Sequence, residues 1–390
     1  MQPKRPLLTI VRIKRHGAFV LVARVLVLTV LAAGMPAGYV PLAAARGAPA
    51  DRAQAATATL YVNVAPGSSC GGLSPCFTRI QAAIDAAGPG TRIEIQAGEY
   101  IEQLRIQRKN ATAGASEADR IVIEADPAAP VGSVILRGRE ARCEGGYAID
   151  FDRSRYVTVR GLSIVAAGVR GIGLRGGSRA NRGIHLERNR LARGGPRECN
   201  GGIDVGRGNP ETVIANNLIY GNGKSGIRFR DGRGGSYYVI GNTIVRNAWS
   251  GVQIAHAAVI ELVDNLIAFN GLAPGAAEGR VGVRRRRSSP SAPQDVRLLG
   301  NVVCGNRGGE LAGPILEATD GGNLTPTGGE GPGVAASASC GLSAALFVDV
   351  AGVDGLLDTE DDDFTLAALS LIHISEPTRL RRISYAVFCL

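Results

Sequence analysis

An asparagine pair, N-x-x-x-x-N, recurs along the chain and limits its fold more than any other feature. It appears as Asn217/Asn222, Asn242/Asn247, Asn265/Asn270 and Asn301/Asn306. The leading asparagines are 25, 23 and 36 residues apart, and Asn189 precedes Asn217 by 28. Around them stand V-I-A-N-N-L-I-Y-G-N, V-I-G-N-T-I-V-R-N, L-V-D-N-L-I-A-F-N and L-L-G-N-V-V-C-G-N. Each unit holds short β-rich pieces split by Gly and Asn, without helical periodicity. A unit of this length cannot bury its own apolar face and must stack on its neighbours, which makes the chain a solenoid.

Stacked short strands predict an all-β fold, a right-handed parallel β-helix with three strands per coil and roughly 4.8 Å between coils. Alternation sends Ile227 and Phe229 inward and Arg228 and Arg230 outward. One inward row runs Leu186, Ile214, Val239, Leu262, Leu298. The recurring asparagines are expected at a corner, accepting a left-handed backbone and bonding between coils. That makes them structural and not a substrate site.

The two ends read differently. Residues 1–24 carry Lys4, Arg5, Arg12, Lys14, Arg15 and Arg24, followed by an apolar run from Val25 to Ala33 and A-P-A and A-Q-A sites ending at Ala50 and Ala55. This is the order of a secretory signal, so residues 1–55 are expected to be signal peptide and leader of a secreted, extracellular or cell-surface bacterial protein. The apolar run is well short of the ~20 residues a spanning helix needs. No membrane span is expected beyond it. Residues 369–390 contain L-S-L-I-H-I-S-E-P-T-R and I-S-Y-A-V-F-C-L, which match translated sequencing-adapter DNA in one frame, so this tail is expected to be artefactual.

The formal charge of +10, from 44 Lys+Arg and 34 Asp+Glu, changes meaning once these ends are set aside. Residues 1–55 hold 8 basic and one acidic residue, and 369–390 hold 3 and one. The remainder, 56–368, keeps 33 basic and 32 acidic residues, so no nucleic-acid partner is indicated. Six cysteines remain, an even number that suits disulfides in an exported chain. Cys70 and Cys76 close a short loop and form the expected pair. Chain order would join Cys304 to Cys340 and Cys143 to Cys199. No Cys-x-x-Cys or histidine cluster suggests zinc.

The segment F-T-R-I-Q-A-A-I-D-A-A places Ile80, Ala83, Ile84 and Ala87 on one helical face, and residues 56–90 are expected to cap the solenoid. The β-helix itself is expected over 91–368, with a protruding loop at about 272–295, where Pro274, Gly275 and the run Arg284–Arg287 break the rhythm. The stretch from Leu60 through P-G-T-R-I-E-I-Q-A-G-E-Y to V-I-L-R-G, together with F-V-D-V near the other end, resembles secreted right-handed β-helix repeat proteins of the pectin-lyase-like superfamily. That resemblance implies a fold used by lyases, hydrolases, epimerases and proteins of no known activity.

It also implies a search on the outward side of one strand row. A lyase of that kind removes the proton beside a uronate carboxylate, with Arg or Lys as base and Ca²⁺ or a cation on the carboxylate. Successive coils place Gly173, Asp204, Arg228 and Gln253 in one outward row, and Arg175, Gly206, Arg230 and Ala255 in the next. Lys224 and Asp231 flank them. The candidate catalytic residues are Lys224, Arg228 and Arg230: an arginine forks a substrate carboxylate and Lys224 is the base. Asp204, Asp231 and Trp249 are candidate substrate-binding residues. The bland reading of the same cluster is a solvated face with cross-coil ion pairs such as Asp204–Arg228. Ca²⁺ is a candidate cofactor, though Asp204 and Asp231 alone are few ligands for it. Paired Asp residues and a Gly-His-Gly motif are missing, which argues against polygalacturonase-like hydrolysis. His185 and His256 fall in different coils and read as isolated surface histidines. The expected function is interaction with an extracellular or cell-wall polysaccharide by a monomer, with uronate lyase activity as one form of it. The other form is a non-catalytic, adhesin-like surface β-helix.

Overall fold

The computed structural model describes residues 58–65, 67, 69–138, 146–166, 169–192, 201–230, 232–255, 257–272, 280–285, 295–313, 315–317, 323–325, 335–336, 347–349 and 363–366. Three parallel sheets run the length of this region, with 11, 10 and 8 strands among the described residues. Sheet 1 includes Arg92–Ile95, Ile121–Ala125, Arg155–Arg160, Arg182–Glu187, Thr212–Ala215, Gly232–Ile240 and Ala257–Val263. Sheet 2 includes Gly98–Ile101, Val134–Arg137, Ser163–Val165, Arg190–Ala192, Leu218–Tyr220, Thr243–Val245 and Leu266–Ala268. Sheet 3 holds Leu104–Gln107, Tyr147–Asp152, Arg170–Leu174, Ile203–Val205, Ile227–Phe229, Val252–Ile254, Val283–Arg285 and Leu311–Ala312. The chain visits the sheets in turn, so every coil pairs with the one before and the one after it. The fold is the parallel β-helix expected from the repeat.

The core is a stack of inward rows. Leu186, Ile214, Val239, Leu262 and Leu298 pair in register and are fully buried. Each such side chain is worth about 1.5–3 kcal/mol once removed from water. Over its later coils sheet 2 is apolar outside as well. Its outward row Ala192, Tyr220, Val245, Ala268, Cys304 is buried, and the strand Asp363–Leu366, antiparallel to Phe347–Asp349, packs against Leu218–Tyr220.

The asparagines form two ladders inside the corners. Each amide of Asn189, Asn217, Asn242, Asn265 and Asn301 donates to Oδ1 of the next coil's asparagine, and the ladder ends at Asn323. The backbone N–H of each rung donates to that same oxygen. A second ladder runs Asn222, Asn247, Asn270, Asn306 and closes on the Glu310 carboxylate. One expectation is corrected here. The left-handed residue at each corner is the one before the ladder asparagine: Arg188, Asn216, Gly241, Asp264 and Gly300 in the first ladder, Gly221, Arg246, Phe269 and Gly305 in the second. The bend is made one residue earlier, which turns the asparagine inward, where its amide serves both neighbouring coils.

The helix α1 (Ile80–Ala86) precedes the first full coil and buries Ile80, Ala83, Ile84 and the following Ala87 against strands Thr59–Val62, Arg92–Ile95 and Leu104–Gln107. Cys70 and Cys76 form a disulfide with Cα atoms 5.7 Å apart. Cys304 is also disulfide-bonded, while Cys143, Cys199 and Cys340 lie outside the described residues. Within the stretch expected as a loop over 272–295, Val283–Arg285 is a sheet 3 strand paired with Val252–Ile254, because the coil must still supply its third strand, and residues 273–279 and 286–294 lie outside the described residues. The leader 1–55 and the tail 369–390 lie outside the described residues.

Candidate functional site on the outward face of sheet 3

Pleating sends alternate residues of sheet 3 outward. The outward row is Arg105, Asp150, Gly173, Asp204, Arg228, Gln253, Arg284, one residue per coil. Its central part is the row expected from the sequence. Arg175 and Arg230 follow the strand ends of their coils and stand beside it.

The centre of the face is built from four successive coils. Asp204 is 1% exposed, and Arg230 Nε lies 2.9 Å from its Oδ1. Tyr147, two coils earlier, donates its hydroxyl to Asp204 Oδ2 at 3.1 Å, and Arg230 Nη2 donates to the same hydroxyl at 2.8 Å. Tyr147 reaches Asp204 because the coil between them has glycine at 173. A Cβ there would lie 2.6 Å from three Tyr147 ring atoms. The Arg170 guanidinium stands 5.4 Å from the centre of the same ring. Burial raises the Asp204 carboxyl above its ordinary range, against the pull of Arg230 and Arg228. Burial and the neighbouring Asp204 likewise raise Tyr147, against Arg230 and Arg170. The Tyr147–Asp204 pair thus supports Arg230 from beneath through these contacts.

The same device recurs along the face. Arg175 forks Asp150, with Nε 2.9 and 3.0 Å from the two carboxylate oxygens. Arg179 grips Asp152 through Nε at 2.9 Å and through Nη2. In each case the carboxylate sits beneath and the guanidinium stays toward water: Arg175, Arg179 and Arg230 side chains are 36%, 45% and 42% exposed, over Asp150, Asp152 and Asp204 at 12%, 5% and 1%.

Of the residues singled out in the sequence, Asp204, Arg228 and Arg230 fall on this face together. The charge partner found for Asp204 is Arg230, in addition to its in-register neighbour Arg228. Lys224 lies on the preceding turn, its Nζ 6.0 Å from the ring centre of Trp249, which is 36% exposed. Ser225, next to Lys224, donates to Gln253 Oε1 at 3.2 Å. Asp231 and His256 lie outside the described residues. Tyr147 and Gly173 carry the site yet were not read as functional. The signal was present: a glycine at 173 in the outward row leaves room for a large side chain from the preceding coil.

Among the described residues no three His, Cys, Asp or Glu side chains converge, and the Asp204 carboxylate is engaged by Arg230 and Tyr147. His185 lies on sheet 1, away from this face, between Arg120 and Glu187, at 3.3 Å from Arg120 Nη2 and 3.2 Å from Glu187 Oε1. Among the described residues, no helix is long and apolar enough to cross a membrane.

Residues 132–283 match the family model described as "Right handed beta helix region". No curated protein matches the sequence significantly. Among solved structures, pectate lyase Pel9A aligns at 17% identity, covering 80% of this chain and 89% of its own, with a TM-score of 0.48. An alginate lyase from Paenibacillus sp. str. FPU-7 aligns at 15% identity over 72% and 95%, TM-score 0.45. A rhamnogalacturonan lyase aligns at 12% over 81% and 98%, TM-score 0.43. From the matched span 132–283 outward through the coils stacked on it, this chain is a right-handed parallel β-helix.

Proposed function

We propose that the outward face of sheet 3 binds an acidic polysaccharide. The observation that carries this reading is the repeated mount just described: partly exposed guanidiniums, each fixed from below by a carboxylate more deeply buried than itself. An arginine held in this way loses little freedom on meeting a ligand, and its planar fork suits carboxylates. Trp249 adds an exposed ring at the edge of the face, on which a sugar can stack.

In the catalytic form of this reading, Arg228 and Arg230 neutralise a uronate carboxylate while Lys224 acts as the base that takes the adjacent carbon-bound proton. The electron pair then forms the new double bond as the bond to the leaving sugar oxygen breaks, and water returns a proton to that oxygen. Binding with reaction and binding without it separate in one experiment. The full chain is mixed with polygalacturonate, alginate and glycosaminoglycans, and both retention and ultraviolet absorbance of an unsaturated product are followed. Binding lost in Arg230→Ala supports the proposal. Product formation lost in Lys224→Ala supports the lyase form. Absence of binding to every acidic polymer refutes both.

A further inference from the structure

The sheet 3 row begins at a second polar site. Between α1 and the segment 103–109 lies a groove of about 530 Å³ lined by Gln81, Asp85, Gln103, Arg105, Gln107, Arg108 and Lys109. Every lining residue is polar, and Arg105, Gln107 and Arg108 are exposed. Its walls are fixed. The Gln81 amide pairs with the backbone of Arg105 like a strand edge, accepting from its N–H at 2.7 Å and donating to its C=O at 3.1 Å. Gln81 also donates to Asp85 Oδ1 at 2.8 Å. Lys109 Nζ donates to the C=O groups of Asp85 and Ala87 at 3.1 and 2.9 Å, tying the end of α1 to the opposite wall. Glu102 accepts from the N–H groups of Ile80 and Gln81, at 2.8 and 3.1 Å, and so holds the start of the helix.

Arg105 is in register with Asp150, Gly173 and Asp204. At one coil per roughly 4.8 Å, Asp204 is three steps and about 14 Å away along the axis. Strand Leu104–Gln107 is the first of sheet 3, and Gln81 of α1 covers its outer edge. The outward row of sheet 3 therefore stops against the helix.

We propose that this groove is a terminal subsite that takes the end of an acidic sugar chain: Arg105 and Arg108 meet a carboxylate, while the Gln and Asp85 groups meet ring hydroxyls. The inference rests on the acidic-polysaccharide reading above and adds a place for the chain end to it. Oligogalacturonates and oligomannuronates, from dimers to octamers, provide the test by titration against the full chain and its Arg105→Ala/Arg108→Ala and Arg230→Ala variants. Equal thermal unfolding and circular dichroism of the variants establish that the fold is kept. The expected result is that affinity rises with length until the ligand spans both places. The double variant should then lower octamer affinity about tenfold or more while leaving dimers unaffected at the Arg230 end. Unchanged octamer affinity in the double variant, or an equal loss for dimers and octamers, overturns the terminal subsite. If no acidic oligomer binds the unaltered protein, it is the proposed function itself that fails. Octamer binding that depends on Arg230 alone leaves that function standing and removes only this inference.

Discussion

At the scale of single residues, the sheet 3 face depends on a missing side chain. Gly173 lets the Tyr147 ring lie across a coil and reach Asp204. Gly173→Ala places a methyl group 2.6 Å from that ring, so the tyrosine must move and Arg230 loses one of its supports. The expected cost is about 1–3 kcal/mol in denaturant unfolding, together with weaker polyuronate binding. Tyr147→Phe keeps the ring and removes the hydroxyl. It should cost about 1 kcal/mol and reduce binding less than Arg230→Ala. Asp152 supplies a pH test. Hydrogen bonding from Arg179 holds its carboxyl below the ordinary value of 3.8, outweighing its burial. A depressed carboxylate stabilises the fold fully above its unfolded pKa and loses that contribution as pH falls through the folded one. Asp152→Asn should therefore lower stability near neutrality, flatten the acid limb below about pH 4, and cost least at the lowest pH, where the unaltered carboxylate has already lost its contribution. Urea midpoints measured across acid pH decide it.

At the scale of elements, the ladders do more than a propensity argument for asparagine suggests. Asn242 donates to the C=O groups of Ile214 and Ile240 and to Asn265 Oδ1, and accepts from both the backbone and the amide of Asn217. Asn242→Ala strands several buried partners at once, each costing about 1–3 kcal/mol when unsatisfied. A loss of at least about 3 kcal/mol follows, read from chemical unfolding. The equivalent change at exposed Arg182 should fall within about 0.5 kcal/mol, because its ion pair with Glu211 is held in solvent. The corner itself belongs to the preceding residue. At Gly241 a left-handed backbone is free of a Cβ penalty, whereas Arg246, Asp264 and Phe269 adopt it with one.

At the scale of the whole molecule, a solenoid is held by contacts between neighbouring coils, so its ends decide whether it stays single. Helix α1 covers the first strand of sheet 3 through Gln81, and Glu102 fixes that helix. Gln81→Ala combined with Glu102→Ala should expose the edge and shift the protein toward self-association, visible in light scattering before any loss of β signal in circular dichroism. Gly and Asn spacing, strand alternation and the amphipathic 77–87 segment announced this architecture, since each reports a local period that stacking must satisfy. Asp204, Arg228 and Arg230 were legible for the same reason: alternation alone puts them outward in adjacent coils.

What sequence determined by itself is therefore periodic. The coil length, the inward rows and the outward row of sheet 3 all follow from a two-residue alternation and a repeat of about two dozen residues. Tertiary structure alone decided what crosses coils. Tyr147 meets Asp204 over 57 residues of chain, Gln81 meets Arg105 from a different element, and a strand emerges at Val283–Arg285 inside a stretch that reads as loop. Each of those contacts depends on side-chain reach and on the space left by a third residue. A period along the chain carries neither.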